Sequence, residues 1–188
     1  RAEVLDGNIS TLQEIYDLVG VSQLQQQEEA FLPASQEPVT CCILAAGFEE
    51  QLLPLIEDRP KAMLEIKGRS ILERQLNILR SAGISQIVVV RGYKAEAINL
   101  PGIRFYENPD YRSTGIAASL FSAAPTFQGR LLVLYGDILF DRAVLERLLA
   151  SPADVALAVD RAWYDLYRTE GRSPEATELV VTRQRPIQ

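Results

Sequence analysis

The order of apolar and polar positions divides the chain into two textures. Leu12, Ile15, Tyr16 and Val19 recur at three- and four-residue spacing, which predicts a helix capped by Asn8 or Ser10 and ended by Gly20. Ser22 starts a second short helix, with Leu24 and Phe31 apolar around the polar run Gln25-Gln26-Gln27-Glu28-Glu29. Pro33 and Pro38 bracket a linker of little hydrophobicity. From Val39 the texture changes. Val39 to Leu44 is a continuous, partly β-branched run, predicting a strand buried on both faces. Ala62 to Ile66 predicts a second short strand, followed by a turn at Lys67-Gly68. Ser70 and Glu73 form a capping box for a helix whose inner face is Ile71, Leu72, Gln75, Leu76, Ile78 and Leu79, closed by Gly83. Strands are predicted over Gln86 to Val90, Arg104 to Tyr106, Arg130 to Tyr135 and Asp154 to Val159, with helices over Ile116 to Ala124 and Ala143 to Leu149.

Alternating strands and helices predict an α/β fold: a three-layer α/β/α sandwich around a mostly parallel, Rossmann-like sheet, with a short N-terminal helical appendage. In such folds ligands bind beyond the carboxyl ends of the strands. The loops after Leu44, Val90, Tyr106 and Tyr135 are therefore where chemistry is sought.

Composition narrows that chemistry. The 188 residues are 47% hydrophobic and 23% charged, enough for a real core in one domain. Histidine is absent, which excludes Ser-His-Asp and Cys-His catalysis and any His-ligated zinc within this chain. Cys41 and Cys42 are adjacent, too close to staple distant segments, and read as small core residues of a protein from the reducing cytoplasm. A net charge of −6 argues against a general nucleic-acid binder, leaving an anionic small molecule held in a locally basic pocket. No apolar run approaches the ~20 residues of a membrane helix, and Arg1 to Asp6 has no apolar signal core.

Two places fit a phosphate ligand. Leu44-Ala45-Ala46-Gly47 ends a buried strand with small residues, which let backbone N–H groups approach a ligand closely. Lys61, after Pro60, can fold back on phosphates as a point charge. Asp137 follows the most apolar strand, where Mg²⁺ is commonly held beside phosphates; Asp141 is better placed to cap the next helix. The plainer readings are a tightly packed strand end and a turn aspartate. Tyr93 reads as packing, and Arg91 and Lys94 as solvated cations.

These residues resemble a family signature in order and spacing. Leu44-Ala45-Ala46-Gly47, Leu52-Leu53-Pro54-Leu55 and Arg59-Pro60-Lys61-Ala62-Met63-Leu64 look like the nucleotidyltransferases that activate sugars and alcohols. Ile71 to Leu76, Ala82-Gly83-Ile84, Val89 to Tyr93, Asn108-Pro109-Asp110-Tyr111, Ser119-Leu120 and Tyr135 to Phe140 continue the match. The Asn-x-x-Tyr and Ser-Leu elements are most similar to the branch transferring CMP to phosphocholine, inositol phosphate or phosphonates. The resemblance implies attack by a phosphate or phosphonate oxygen on the α-phosphorus of a nucleoside triphosphate, CTP by preference, with Mg²⁺ as cofactor. It implies nucleotide binding by Leu44, Ala45, Ala46, Gly47, Asn108 and Gly115, catalytic roles for Lys61 and the residue at Gln51, and Asp137 as metal ligand. It also implies a second acidic ligand on a later strand, so the domain over residues 39–188 is expected to be incomplete at its C-terminus.

The signature also departs from the family. The family loop reads Ala-Ala-Gly-x-Gly-x-Arg-Leu, whereas Glu49 stands here for the second glycine and Gln51 for the arginine. Two readings follow: an active cytidylyltransferase-like enzyme, or an impaired module with a nucleotide-binding or assembly role. Trp163, Tyr164 and Tyr167 with Asp160 and Arg161 read as an amine-recognising rim or as a surface hinge cluster. Residues 1–34 resemble the helical C-terminal tail of a phosphoenolpyruvate mutase, followed by a linker over 35–38. That tail implies phosphonate biosynthesis, and its apolar stripe over residues 10–31 is expected to meet an upstream mutase domain or a second copy of the chain.

Overall fold

The computed structural model of the chain describes residues 2–6, 37–160 and 168–169. The helices predicted over 8–32 and the aromatic cluster at Trp163, Tyr164 and Tyr167 lie outside the described residues. The chain groups into two compact units, Ser35–Phe140 and Arg1–Ala34 with Asp141–Gln188.

The unit Ser35–Phe140 is built on a four-stranded parallel sheet. Its strands are β2 (Val39–Ala45), β5 (Gln86–Arg91), β6 (Arg104–Glu107) and β7 (Arg130–Tyr135), in the order β6-β5-β2-β7. The central strand β2 is nearly all buried because it has a neighbour on each side and side chains packed on both faces. Cys42, Val88 and Val90 pack on one face against Ala123, Leu120, Tyr106 and Phe127, under helix α2 (Ile116–Ser122). By strand alternation Cys41, Ile43, Ile87 and Val89 point to the other face, where they are equally buried. Helix α1 (Ile71–Ser81) buries Ile71, Leu72, Gln75, Leu76 and Leu79, the stripe read from the sequence. The capping box is present in full: Ser70 Oγ accepts from the Glu73 backbone N–H, and the Glu73 carboxylate accepts from the Ser70 backbone N–H. Those bonds hold the Glu73 carboxyl below its ordinary pKa.

Burial makes both cysteines inert. It pushes the Cys42 thiol up to about 11, and burial followed by the neighbouring Cys42 pushes Cys41 higher still.

One predicted strand is corrected. Lys61–Met63 is a short 3₁₀ turn, and only β3 (Glu65–Ile66) remains extended, pairing with β4 (Arg69–Ser70) in a small hairpin. Pro60 accepts from Met63 N–H and Lys61 from Leu64 N–H, so the backbone bonds are made locally instead of across a sheet.

The second unit contains β1 (Ala2–Asp6), α3 (Arg142–Ala150) and β8 (Val155–Val159), with β1 and β8 paired in parallel. Ala2–Asp6 is thus strand where the sequence suggested only a helical segment. Asp141 caps α3 by accepting from Val144 N–H at 2.9 Å. Among the described residues no helix is long and apolar enough to cross a membrane.

Candidate functional site

The strand order creates an opening. The chain leaves β2, adds β5 and β6 on one side, then returns to place β7 on the other side of β2. Loops leaving the carboxyl ends of β2 and β7 therefore diverge, and a crevice forms between them. A cavity of about 190 Å³ lies there, walled by Leu44, Ala45, Ala46 and Gly47 from the end of β2 and by Tyr135, Gly136 and Asp137 from the end of β7. Lys61, Ala62, Tyr111, Thr114, Gly115, Ile116 and Ser119 complete the wall.

Close backbone contacts fix this mouth. Gly136 N–H donates to Leu44 O at 2.8 Å and Tyr93 N–H to Ala46 O at 2.9 Å. A Cβ at Gly136 would meet Ala45 Cβ at 2.9 Å, so only glycine lets the two strand ends approach this closely. Gln75 anchors the other side: its buried Nε2 donates to Tyr135 O at 2.8 Å and Ile138 O at 2.7 Å, bracketing Asp137. Gln75→Leu leaves the Ile138 carbonyl without this donor and is expected to lower stability by about 1–3 kcal/mol. A urea midpoint equal to that of the parent would refute that role.

The charged centre joins three side chains. Lys61 Nζ lies 2.7 Å from an Asp137 oxygen and 2.9 Å from a Glu49 oxygen. Burial disfavours the Lys61 charge, but hydrogen bonds and attraction from Asp137 and Glu49 outweigh it and raise its pKa. The ammonium is therefore charged at neutral pH and is already matched by two carboxylates.

Of the residues singled out from sequence, Leu44, Ala45, Ala46, Gly47, Lys61, Gly115 and Asp137 line the cavity. At both Gly47 and Gly115 an added Cβ would meet open space, so neither glycine is required by packing. Two of the candidates lie outside the cavity wall. Asn108 is buried and does not line the cavity. Its Nδ2 donates to Thr114 Oγ1 and Ser119 Oγ, both at 2.9 Å, and its Oδ1 accepts from Asp110 N–H. Asn108 therefore holds the loop that carries the wall, through both of its amide hydrogens. Gln51 sits exposed on the 3₁₀ turn Glu50–Leu52, outside the cavity wall.

Arg91 is not a solvated cation. It donates to Ile98 O at 2.9 Å and to Glu107 at 2.6 Å, with its guanidinium 4.3 Å above the Phe105 ring. Tyr93 packs as expected, its hydroxyl on Ile56 O at 2.9 Å and its ring 4.8 Å from Phe48. Ala62 and Tyr135, which stand within the quoted signature but were not singled out as site residues, also line the cavity.

Comparison with known proteins draws on the same part of the chain. The profile of the MobA-like NTP transferase domain matches residues 41–174. A CTP:phosphoglutamine cytidylyltransferase from Campylobacter jejuni is 32% identical over 153 residues, covering 74% of this chain and 60% of that protein. The CMP-5'-(3-aminopropyl)phosphonate synthase of Streptomyces rubellomurinus is 33% identical over 143 residues, 72% of this chain and 23% of the synthase. Among solved structures, the CTP:phosphocholine cytidylyltransferase from Streptococcus pneumoniae matches with a TM-score of 0.52 at 29% identity, over 56% of this chain and 48% of that one. The chain thus spans less than two thirds of the length of each of these relatives.

Proposed function

Because the chain belongs to the MobA-like NTP transferase domain family, we propose that it transfers CMP from CTP to a small phosphate or phosphonate acceptor, releasing pyrophosphate, in phosphonate biosynthesis. The observation that carries this reading is the convergence of Lys61 and Asp137 on a cavity between the carboxyl ends of β2 and β7. The choice of CTP and of such acceptors is supported by the printed activities of the relatives.

The chemistry suits a protein without histidine. A phosphate or phosphonate oxygen is ionised at neutral pH, the second phosphate pKa being about 6. It attacks the α-phosphorus, a new P–O bond forms, and the bond to the bridging oxygen breaks. Pyrophosphate leaves with that electron pair, and no proton has to be removed from the nucleophile. What remains is positioning and neutralisation of charge. Lys61 supplies a charged ammonium, and the small residues Ala45, Ala46 and Gly47 leave room for phosphates beside it.

Asp137 is a partly exposed carboxylate at a strand end within the cavity wall. That donor set fits Mg²⁺, which takes one or two carboxylates and completes its shell with substrate phosphates and water. Asp137 would hold it, and the ion would lend positive charge to the phosphate oxygens.

A second reading has its own observation. Glu49 already occupies Lys61, which favours a module that binds nucleotide weakly and turns it over poorly. The test is pyrophosphate release from CTP and Mg²⁺ with phosphocholine or 2-aminoethylphosphonate, followed by phosphorus NMR for the new phosphoanhydride. Release that needs both substrates supports transfer. CTP binding without release supports the second reading, and no binding of any nucleoside triphosphate defeats both.

A further inference from the structure

The signature loop needs a cation that it does not carry. Gly47 to Leu55 contains Glu49 and Glu50 and no lysine or arginine. Lys61 is held by two carboxylates, and Arg59, further along, pairs with Asp58 and Glu65. The cavity, at about 190 Å³, is smaller than the roughly 300–1,000 Å³ of sites that enclose a drug-sized ligand. Part of a nucleotide must therefore lie outside it, over the loop that begins at Gly47.

A cation reaches that place from another loop. Gly92 lacks the Cβ that would meet Ala46 O at 2.7 Å and Tyr111 Cβ at 3.0 Å, so Tyr111 is seated directly against the start of the signature loop. Its ring lines the cavity and lies 6.2 Å from that of Tyr93. Arg112 follows it. The Arg112 guanidinium carbon sits 4.6 Å from the Phe48 ring centroid and 5.5 Å from that of Tyr111, and its Nε donates to the Tyr111 hydroxyl at 3.2 Å. The guanidinium thus lies across the loops after β2 and β6, exposed, with no carboxylate partner among the described residues. Contact with the two rings and the bond to the Tyr111 hydroxyl hold the guanidinium there, and its terminal nitrogens form the planar fork that matches phosphate oxygens.

We propose that Arg112 grips the distal phosphates of the bound triphosphate, supplying from the loop after β6 the positive charge that the signature loop lacks. The proposal rests on the nucleotidyl-transfer reading above. Arg112 acts here on the ligand's charge, which a purely structural clasp on Phe48 would not do.

The test measures binding of CTP and of CMP, each with Mg²⁺, to the unaltered chain, Arg112→Gln and Arg112→Lys. Arg112→Gln is expected to weaken CTP by about 10- to 100-fold while CMP changes less than about threefold, with Arg112→Lys intermediate. The unaltered chain should also show the steeper loss of CTP affinity with salt. Equal weakening of CTP and CMP would make Arg112 a structural clasp and overturn the assignment, as would unchanged CTP affinity. Phosphocholine binding lost with CTP binding intact would place the cation on the acceptor and overturn it too. If the unaltered chain takes up none of CTP, UTP, ATP or GTP, the transfer reading itself fails. That outcome is distinct from an unaltered chain that binds CTP and an Arg112→Gln variant that binds it equally well.

Discussion

Lys61→Met is expected to weaken CTP binding in Mg²⁺ by about 30- to 100-fold and to remove most pyrophosphate release. Among the described residues the ammonium is the one cation in the cavity wall, and a charge-assisted contact to phosphate is worth about 1.5–3 kcal/mol. Its loss also leaves Glu49 and Asp137, now joined through Lys61, as facing carboxylates that repel an incoming triphosphate. The half-exposed ion pairs themselves contribute little to folding, about 0–1 kcal/mol each. The melting temperature should therefore fall only a few degrees while affinity collapses. Calorimetry of CTP beside a thermal melt separates the two, and a Lys61→Met chain that binds CTP normally would reduce Lys61 to a structural ion pair.

Glu49→Gln is expected to act in the opposite direction, tightening CTP by about tenfold. In the structure Glu49 holds Lys61 at 2.9 Å, so a triphosphate must displace a carboxylate before it gains the ammonium. The pair costs little to break, but the displaced carboxylate stays close to the ligand's negative charge. Placing arginine at Gln51 as well should add less, because Arg112 already brings a cation over that loop. Comparing Glu49→Gln, Gln51→Arg and the double variant by CTP titration decides this. A weaker CTP complex in Glu49→Gln would mean that Glu49 helps to bind the ligand or its metal.

The sequence made the framework readable where local and long-range signals agree. Ser70 and Glu73 specify the start of α1 by bonds they make to each other's backbone, and the apolar spacing after them fixes its buried face. Strands β2 and β5 were legible as continuous apolar runs because buried parallel strands have no polar face to alternate with, whereas β7 is as apolar a run yet leaves Leu131, Val133 and Tyr135 exposed. Ala62 to Ile66 misled for the same reason: an apolar run says that a segment is buried, and Pro60 with its local bonds decided the shape. At the site, glycine and alanine positions and the two charges Lys61 and Asp137 were legible from their place after strands. Partners were not. Nothing in the order of residues says that the Asn108 amide turns inward to Thr114 and Ser119, or that Arg91 is taken by Ile98 and Glu107. Arg112 is the sharpest case, since its relation to Phe48 depends on two loops that meet only in the folded sheet.

The placement of β7 beside β2 also sets a timetable for the protein's life. Thr40 donates to Gln128 O across a separation of 88 residues, and Arg130 N–H to Pro38 O. The central strand must therefore wait for almost the whole unit before its second neighbour arrives, and such distant closures are slow and entropically expensive. On a growing chain the segment around Gly47 emerges early but has no opposite wall until Gly136 and Asp137 follow. The cavity, walled by the ends of both strands, is therefore complete only once β7 has joined β2.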